Sequence, residues 1–202
     1  MSEEDSTTLV TDLIHRFTVG DSAVRGELVK VETEWQAILE KVDYPTPLRE
    51  ILGKAIAAAL LLTETIKFKG GLTFQIQGDG PVNLLNVFCR DDHTFRGMAS
   101  WDGELKSESL MALFGKGQLA ITIDPDDAEE RYQSLIPLEV DTIEELLEHY
   151  FEQSEQIDTH FWLSADAERC AGMMLQKMPE VTVEEDLWDR VTYLAGTATS
   201  QE

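Results

Sequence analysis

The sequence predicts an α+β protein: a mixed or antiparallel sheet core with packed helices and a C-terminal helical arm. Three observations carry this. Leu72 to Phe88 reads LTFQIQGDGPVNLLNVF, two apolar runs about a Gly-Asp-Gly-Pro turn, which is a β-hairpin pattern. A segment from Thr46 to about Lys67 has helical length and is apolar nearly all round. Strand patterns and helix patterns follow one another without the strict βαβ alternation of a parallel sheet.

Taken in order, Ser22 to Val31 reads as a strand with Val24, Leu28 and Val31 among its apolar residues. Thr33 to Val42 places Trp35, Ile38, Leu39 and Val42 at helical spacing. Thr46 is then a fitting N-cap and Pro47 a fitting first helical residue. The helix they open carries Ile51, Leu52, Ala55, Ile56, Ala59, Leu60 and Leu62, and so little polar face places it centrally.

In the hairpin, Leu72, Phe74 and Ile76 share one face. Gly78 and Gly80 are expected to supply positive φ angles in the reversal, and Pro81 its exit. Further strands are expected at Thr94 to Trp101, Gln118 to Asp124 and Arg131 to Leu138, with a short helix at Ser109 to Phe114 stopped by Gly115. Asp141 and Glu144 have the spacing of a capping box, opening a helix to about Gln156. Thr159 to Ala165 and Ala171 to Met178 read as strands, and Glu184 to about Leu194 as a helix. Gly196 to Glu202 reads as an unstructured tail.

The chain has 202 residues and a hydrophobic content of 43%, enough for one sizeable domain or one domain with an arm. Its formal charge is −23, and most of it sits in three segments. Met1 to Asp12 holds four acids and no base, Asp124 to Glu155 twelve acids and one base, and Glu180 to Glu202 six acids and one base. No basic patch suits phosphate, which excludes nucleic acid as a partner. The longest apolar run, Ala55 to Leu62, is eight residues, whereas a membrane span needs about twenty. The acidic N-terminus lacks the pattern of a signal peptide, so the expected location is the cytoplasm.

Chemistry-bearing motifs are sparse. There is no H-E-x-x-H, G-x-S-x-G or G-x-x-x-x-G-K-[ST], and Gly115-Lys116-Gly117 reads as a helix stop. The histidines His15, His93, His149 and His160 have no metal-ligand spacing. Cys89 and Cys170 lie 81 positions apart, too few and too scattered for a disulfide framework or a zinc site. Arg90 and Arg169 beside them would favour reactive thiols. The simpler reading is two small half-buried hydrophobes in strands. Adjacent acids, as at Asp91-Asp92, are no evidence for a catalytic pair in so acidic a chain. We assign no catalytic residue and no metal ligand.

Two apolar stretches remain. Met173 and Leu175 share one face of a strand, and methionine suits promiscuous apolar recognition. Core packing is the plainer reading of this stretch; the functional one makes Met173 and Leu175 the candidates for binding polypeptide clients. Val183, Leu187, Trp188, Val191 and Leu194 form an apolar stripe on the acidic arm, which needs a cover. They are the candidates for dimer contact.

Seven pieces, in order, give the chain a resemblance: AVRGELV (Ala23 to Val29), YPTPL (Tyr44 to Leu48), FQIQGDGPVNL (Phe74 to Leu84), RGMA (Arg96 to Ala99), ERYQSLIPLE (Glu130 to Glu139), HYFEQSEQ (His149 to Gln156) and AGMMLQKMP (Ala171 to Pro179). On these the chain resembles the N-terminal domain of the redox-regulated heat shock protein 33 family, cytoplasmic bacterial holdase chaperones. The resemblance implies an ATP-independent chaperone, not an enzyme, that binds unfolding polypeptides and works as a homodimer through its C-terminal arm. Members of the family continue into a zinc module with a C-x-C and a C-x-x-C pair. This sequence has no such cysteines, so zinc is expected in the full-length family and no cofactor in this chain. It reads as a truncated core, with residues 1–179 as chaperone core and 180–202 as acidic helical arm or start of a linker. The residues alone leave open a small carboxylate-dependent hydrolase or transferase, or a dimerisation module only.

Overall fold

A computed structural model describes residues 12–21, 23–65, 69–126, 130–178 and 186–197. The strands are β1 (Leu13–Val19), β2 (Val24–Val31), β3 (Gly70–Gly78), β4 (Val82–Arg90), β5 (Phe95–Trp101), β6 (Gly117–Pro125), β7 (Tyr132–Pro137), β8 (Thr159–Ala165) and β9 (Cys170–Lys177). The helices are α1 (Thr33–Leu39), α2 (Thr46–Thr65), α3 (Leu110–Phe114), α4 (Ile143–Tyr150) and α5 (Leu187–Ala195). A π-helical turn, Phe151–Glu155, continues α4. The fold is α+β. Every pairing is antiparallel, in a four-stranded sheet of order β1-β2-β9-β8 and a five-stranded sheet of order β5-β4-β3-β6-β7.

Helix α2 lies between the two sheets, as its lack of a polar face dictates. A Cβ on Gly172 of β9 would stand 3.0 Å from Leu61 and 3.2 Å from Ala57. One on Gly97 of β5 would stand 3.0 Å from Ile56 and 3.4 Å from Leu52. Opposite sides of α2 therefore touch opposite sheets. Leu72, Phe74 and Ile76 are fully buried on the inner face of the five-stranded sheet, as alternation predicts.

Several expectations need correction. Gly78 and Gly80 are not at positive φ. They are glycines because the end of α3 presses on them: a Cβ on Gly78 would lie 2.0 Å from the Phe114 carbonyl oxygen, and one on Gly80 2.5 Å from that of Leu113. Helix α2 takes in Thr46 as its first residue, and Pro45 supplies the first carbonyl, to Arg49 N–H at 2.9 Å. Helix α1 stops at Leu39, leaving Val42 exposed.

The cap of α4 is Thr142, whose hydroxyl accepts from Glu145 N–H at 3.2 Å. Asp141 instead accepts from the Ser109 hydroxyl and offers its carbonyl to Leu110 N–H at 2.9 Å, which ties α4 to α3. The α-helix ends at Tyr150 and closes at Gln156 in the left-handed conformation (φ 55°). Strand β1 was not expected. The proposed tail is ordered at least through Thr197, whose N–H bonds Leu194 O at 3.0 Å, and 198–202 lie outside the described residues. Gly115, at φ 63°, stops α3 as predicted, and Asp79 takes the Lys116 N–H at 2.7 Å.

Candidate functional site

The two stretches singled out in the sequence meet on the outer face of the four-stranded sheet. Val29 and Val31 of β2, with Met174 of β9, turn inward to the core. On the other face Met173 pairs with Leu28 and Trp162, and Leu175 with Gly26 and His160. Leu175 is nonetheless 1% exposed, while Met173 is half-buried. The reason is what lies above. The Phe17 ring of β1 crosses Gly26, where a Cβ would meet it at 2.1 Å. The Trp188 ring of α5 stacks on His160, with centroids 5.6 Å apart and planes at 19°.

Helix α5 lies over this face. At one end Leu187 fills the space beside Gly20 in the β1–β2 turn. At the other, a Cβ on Gly196 would sit 3.5 Å from the Trp162 indole nitrogen. Of the arm candidates, Leu187, Trp188 and Val191 are half-buried, and Leu194 is 65% exposed. Val183 lies outside the described residues. The structure thus brings Leu175 beneath the arm and leaves Leu194, with Tyr193 beside it, on the solvent side.

The thiols are core residues. Cys89 and Cys170 are both fully buried, and burial pushes the Cys89 thiol up to about 12 and raises the Cys170 thiol as well. The neighbouring arginines do not activate them.

The sequence reading missed a charged cluster built around a buried carboxylate. Glu27 is 1% exposed, with the Arg16 guanidinium at 3.2 Å and that of Arg25 at 3.7 Å. Arg16 also holds Glu64 at 3.3 Å, and Glu64 meets His93 in the β4–β5 turn. Burial raises the Glu27 carboxyl above its usual range, against the pull of Arg25 and Arg16. A signal was present in the sequence: Glu27 has the same strand parity as Val29 and Val31, so it had to point inward. Beside this cluster a cleft of about 860 Å³ opens against Ile14, Leu60 and Phe95. Among the described residues no group of three or more His, Cys, Asp or Glu could hold a metal ion, and no helix is long and apolar enough to cross a membrane.

The family model for the Hsp33 protein matches residues 12–202. The chain belongs to the Hsp33 family. It is 41% identical over 196 residues to the 33 kDa chaperonin of Methylobacillus flagellatus, covering 96% of this chain and 67% of that one. It is 43% identical over 192 residues to that of Shewanella denitrificans, covering 95% and 66%. The fold matches the crystal structure of the 33 kDa chaperonin from Thermotoga maritima with a TM-score of 0.79, at 23% identity, over 94% of this chain and 69% of that one. The chain spans about two thirds of the length of the curated Hsp33 relatives it matches. These relatives are named as chaperonins, and none of those names is an enzyme's.

Proposed function

We propose that this chain is the core of an ATP-independent holdase chaperone, acting in the cytoplasm as a homodimer on unfolding polypeptides. Membership of the Hsp33 family across residues 12–202 carries the reading. A holdase needs apolar surface and no nucleotide: it binds non-native chains and lowers the concentration free to aggregate. Met173 and Leu175 are the proposed client contacts, offered when α5 leaves the outer face of its sheet. Residues 1–179 are the core and 180–202 the arm or start of a linker. No nucleic acid and no membrane is a proposed partner.

Redox regulation belongs, in this proposal, to the full-length family and its zinc. The cysteines of this chain do not fit such a module: there are two, each buried against α2 and each held as the thiol, whereas zinc takes thiolates. The hydrolase reading gains no support from the buried carboxylate, because Glu27 is ion-paired to two arginines and Arg16 stands between it and Glu64.

Light scattering from a heat-unfolding client, with reductant and without nucleotide, tests the proposal. The chain is expected to suppress aggregation, and Cys89→Ser with Cys170→Ser to leave that suppression in place. No protection by the reduced chain would remove the chaperone reading and leave a dimerisation module. Protection only on oxidation, lost in the double variant, would make the thiols the switch.

A further inference from the structure

The four sheet edges of this molecule are treated differently. On β8, Glu148 of α4 accepts the Phe161 N–H at 3.0 Å and seals the edge. On β5, the Tyr44 hydroxyl receives the Ala99 N–H at 3.4 Å, and Arg96 adds a charge. Strand β1 carries His15 and Arg16. Charges and side-chain covers are the usual protection of an edge. Among the described residues strand β7 has neither: Tyr132–Pro137 reads YQSLIP, six residues without a charge, in a chain of net charge −23.

The backbone of β7 shows which groups face outward. Leu138 N–H bonds Gly117 O at 3.0 Å, and the β6–β7 register pairs Leu119 with Ile136 and Ile121 with Ser134. In an antiparallel ladder the bonded pairs alternate, so Tyr132, Ser134 and Ile136 are bonded to β6. Gln133 and Leu135 therefore turn their N–H and C=O groups to the open side. Among the described residues no hydrogen bond reaches them. Pro137, which has no N–H, falls on the same open side. Leu135 is 56% exposed and Tyr132 61%. Behind this edge a cleft of about 530 Å³ is lined by Ile121, Ile123, Tyr132, Ser134, Tyr150 and Phe151.

We propose that β7 is a docking edge for an extended segment of a client polypeptide, which adds to the five-stranded sheet as a sixth strand. This rests on the chaperone reading and names a contact for it apart from the face under α5. Backbone bonds to Gln133 and Leu135 give affinity without regard to sequence. Alternate client side chains turn toward the cleft. The charge around the edge selects the client. Exposed Glu130 and Glu139 flank β7, and Glu155 accepts from Tyr150, whose hydroxyl also meets Ser134. Arg131 is engaged by Asp124 at 2.9 Å. The partner is therefore a segment with alternating apolar residues and basic flanks. A second copy of this chain would bring the same acids against themselves, edge to edge.

The test uses a fluorescein-labelled peptide alternating valine and threonine with a lysine at each end, read by anisotropy. Leu135→Pro removes an outward N–H and leaves the bonds to β6 intact, whereas Leu135→Thr keeps the N–H. Leu135→Pro is expected to weaken peptide binding about ten-fold or more, as an unpaired backbone group at the contact implies. Leu135→Thr should stay close to the original, and a peptide ending in glutamates should bind less well. Hydrogen exchange on the unaltered chain gives a readout that needs no variant: the amides of Gln133 and Leu135 should gain protection when the peptide is added. Unchanged exchange there, or undiminished binding by a folded Leu135→Pro, overturns the docking edge. If that variant still protects an unfolding client in full, the edge is not a client contact and the chaperone reading stands. If neither chain protects any client, that reading falls and takes this one with it. A self-association that Leu135→Pro abolishes, with no peptide bound, would assign the edge to a second copy instead.

Discussion

Glu27 is the residue whose surroundings conflict most with its chemistry. Its carboxyl is out of water, and burial outweighs the nearby Arg25 and Arg16 in setting its proton affinity. With the folded value raised above the unfolded one, its contribution to stability is fully present below the ordinary carboxylate range. That contribution is lost as pH rises through the folded value. Glu27→Gln removes this loss without orphaning the arginines, since Arg16 keeps Glu64 and Arg25 keeps Gln176. The variant is therefore expected to gain stability relative to the original chain between about pH 4 and about pH 7. Urea midpoints at the two values measure it, and a relative loss at the higher value would show that the ion pairs outweigh burial. Single-residue reading went further with the cysteines: two thiols without metal spacing were legible as strand hydrophobes, although both are fully buried where half-burial is the expectation. It went less far with Leu175. Parity put it correctly opposite Met174, but Phe17 and the arm that close over that face are remote in sequence.

Elements with strong local patterns were legible, and those defined by their neighbours were not. Strand β8 was read with its bounds, and α2 with its central position, because alternation and an all-round apolar helix are properties of a segment alone. Strand β1 escaped because LIHRFTV has no clean alternation. It is an edge strand held by β2, with its exposed positions not in strict register. The start of α4 was misplaced by one residue because Asp141 and Thr142 both suit a cap, and the choice is made by α3. Ser109 draws the Asp141 carboxylate away and leaves Thr142 to bond Glu145 N–H. The two positions should separate by mutation. Thr142→Ala is expected to cost about 1 kcal/mol, as loss of a capping hydroxyl does. Urea denaturation of Thr142→Ala and Asp141→Ala, each with a far-UV spectrum, compares the helix ends. Asp141→Ala should loosen the α3–α4 junction while α4 keeps its N-terminal turn. Equal loss of helix in both would return the cap to Asp141.

At the scale of the whole molecule the arm is the element on which the proposed assembly rests. Helix α5 has nine residues, too few to be stable by itself in water, so its order comes from the sheet face it covers. Leu187 and Trp188 make those contacts within one chain, while Tyr193 is 76% exposed and Leu194 65%. The same docking can form between two copies, each arm on the other's sheet. Exchange then adds whatever the outward residues Tyr193 and Leu194 bury against the partner. Two acidic molecules associate only if such apolar burial exceeds their repulsion, which salt screens. Sedimentation at about ten micromolar, in the range where weak dimers dissociate, is expected to show a dimer that strengthens with added salt. Trp188→Ala removes the ring stacked on His160 in the closed and the exchanged arrangement alike, so it should loosen the arm in both, with the spectrum of the two sheets unchanged. Leu194→Ser separates the two routes. Leu194 is mostly exposed in the closed single chain, so the change weakens the dimer strongly only if the outward side of the arm is part of the interface. A monomer at every concentration would make α5 a cover for its own sheet. Leu175 would then reach clients only as fast as that cover opens.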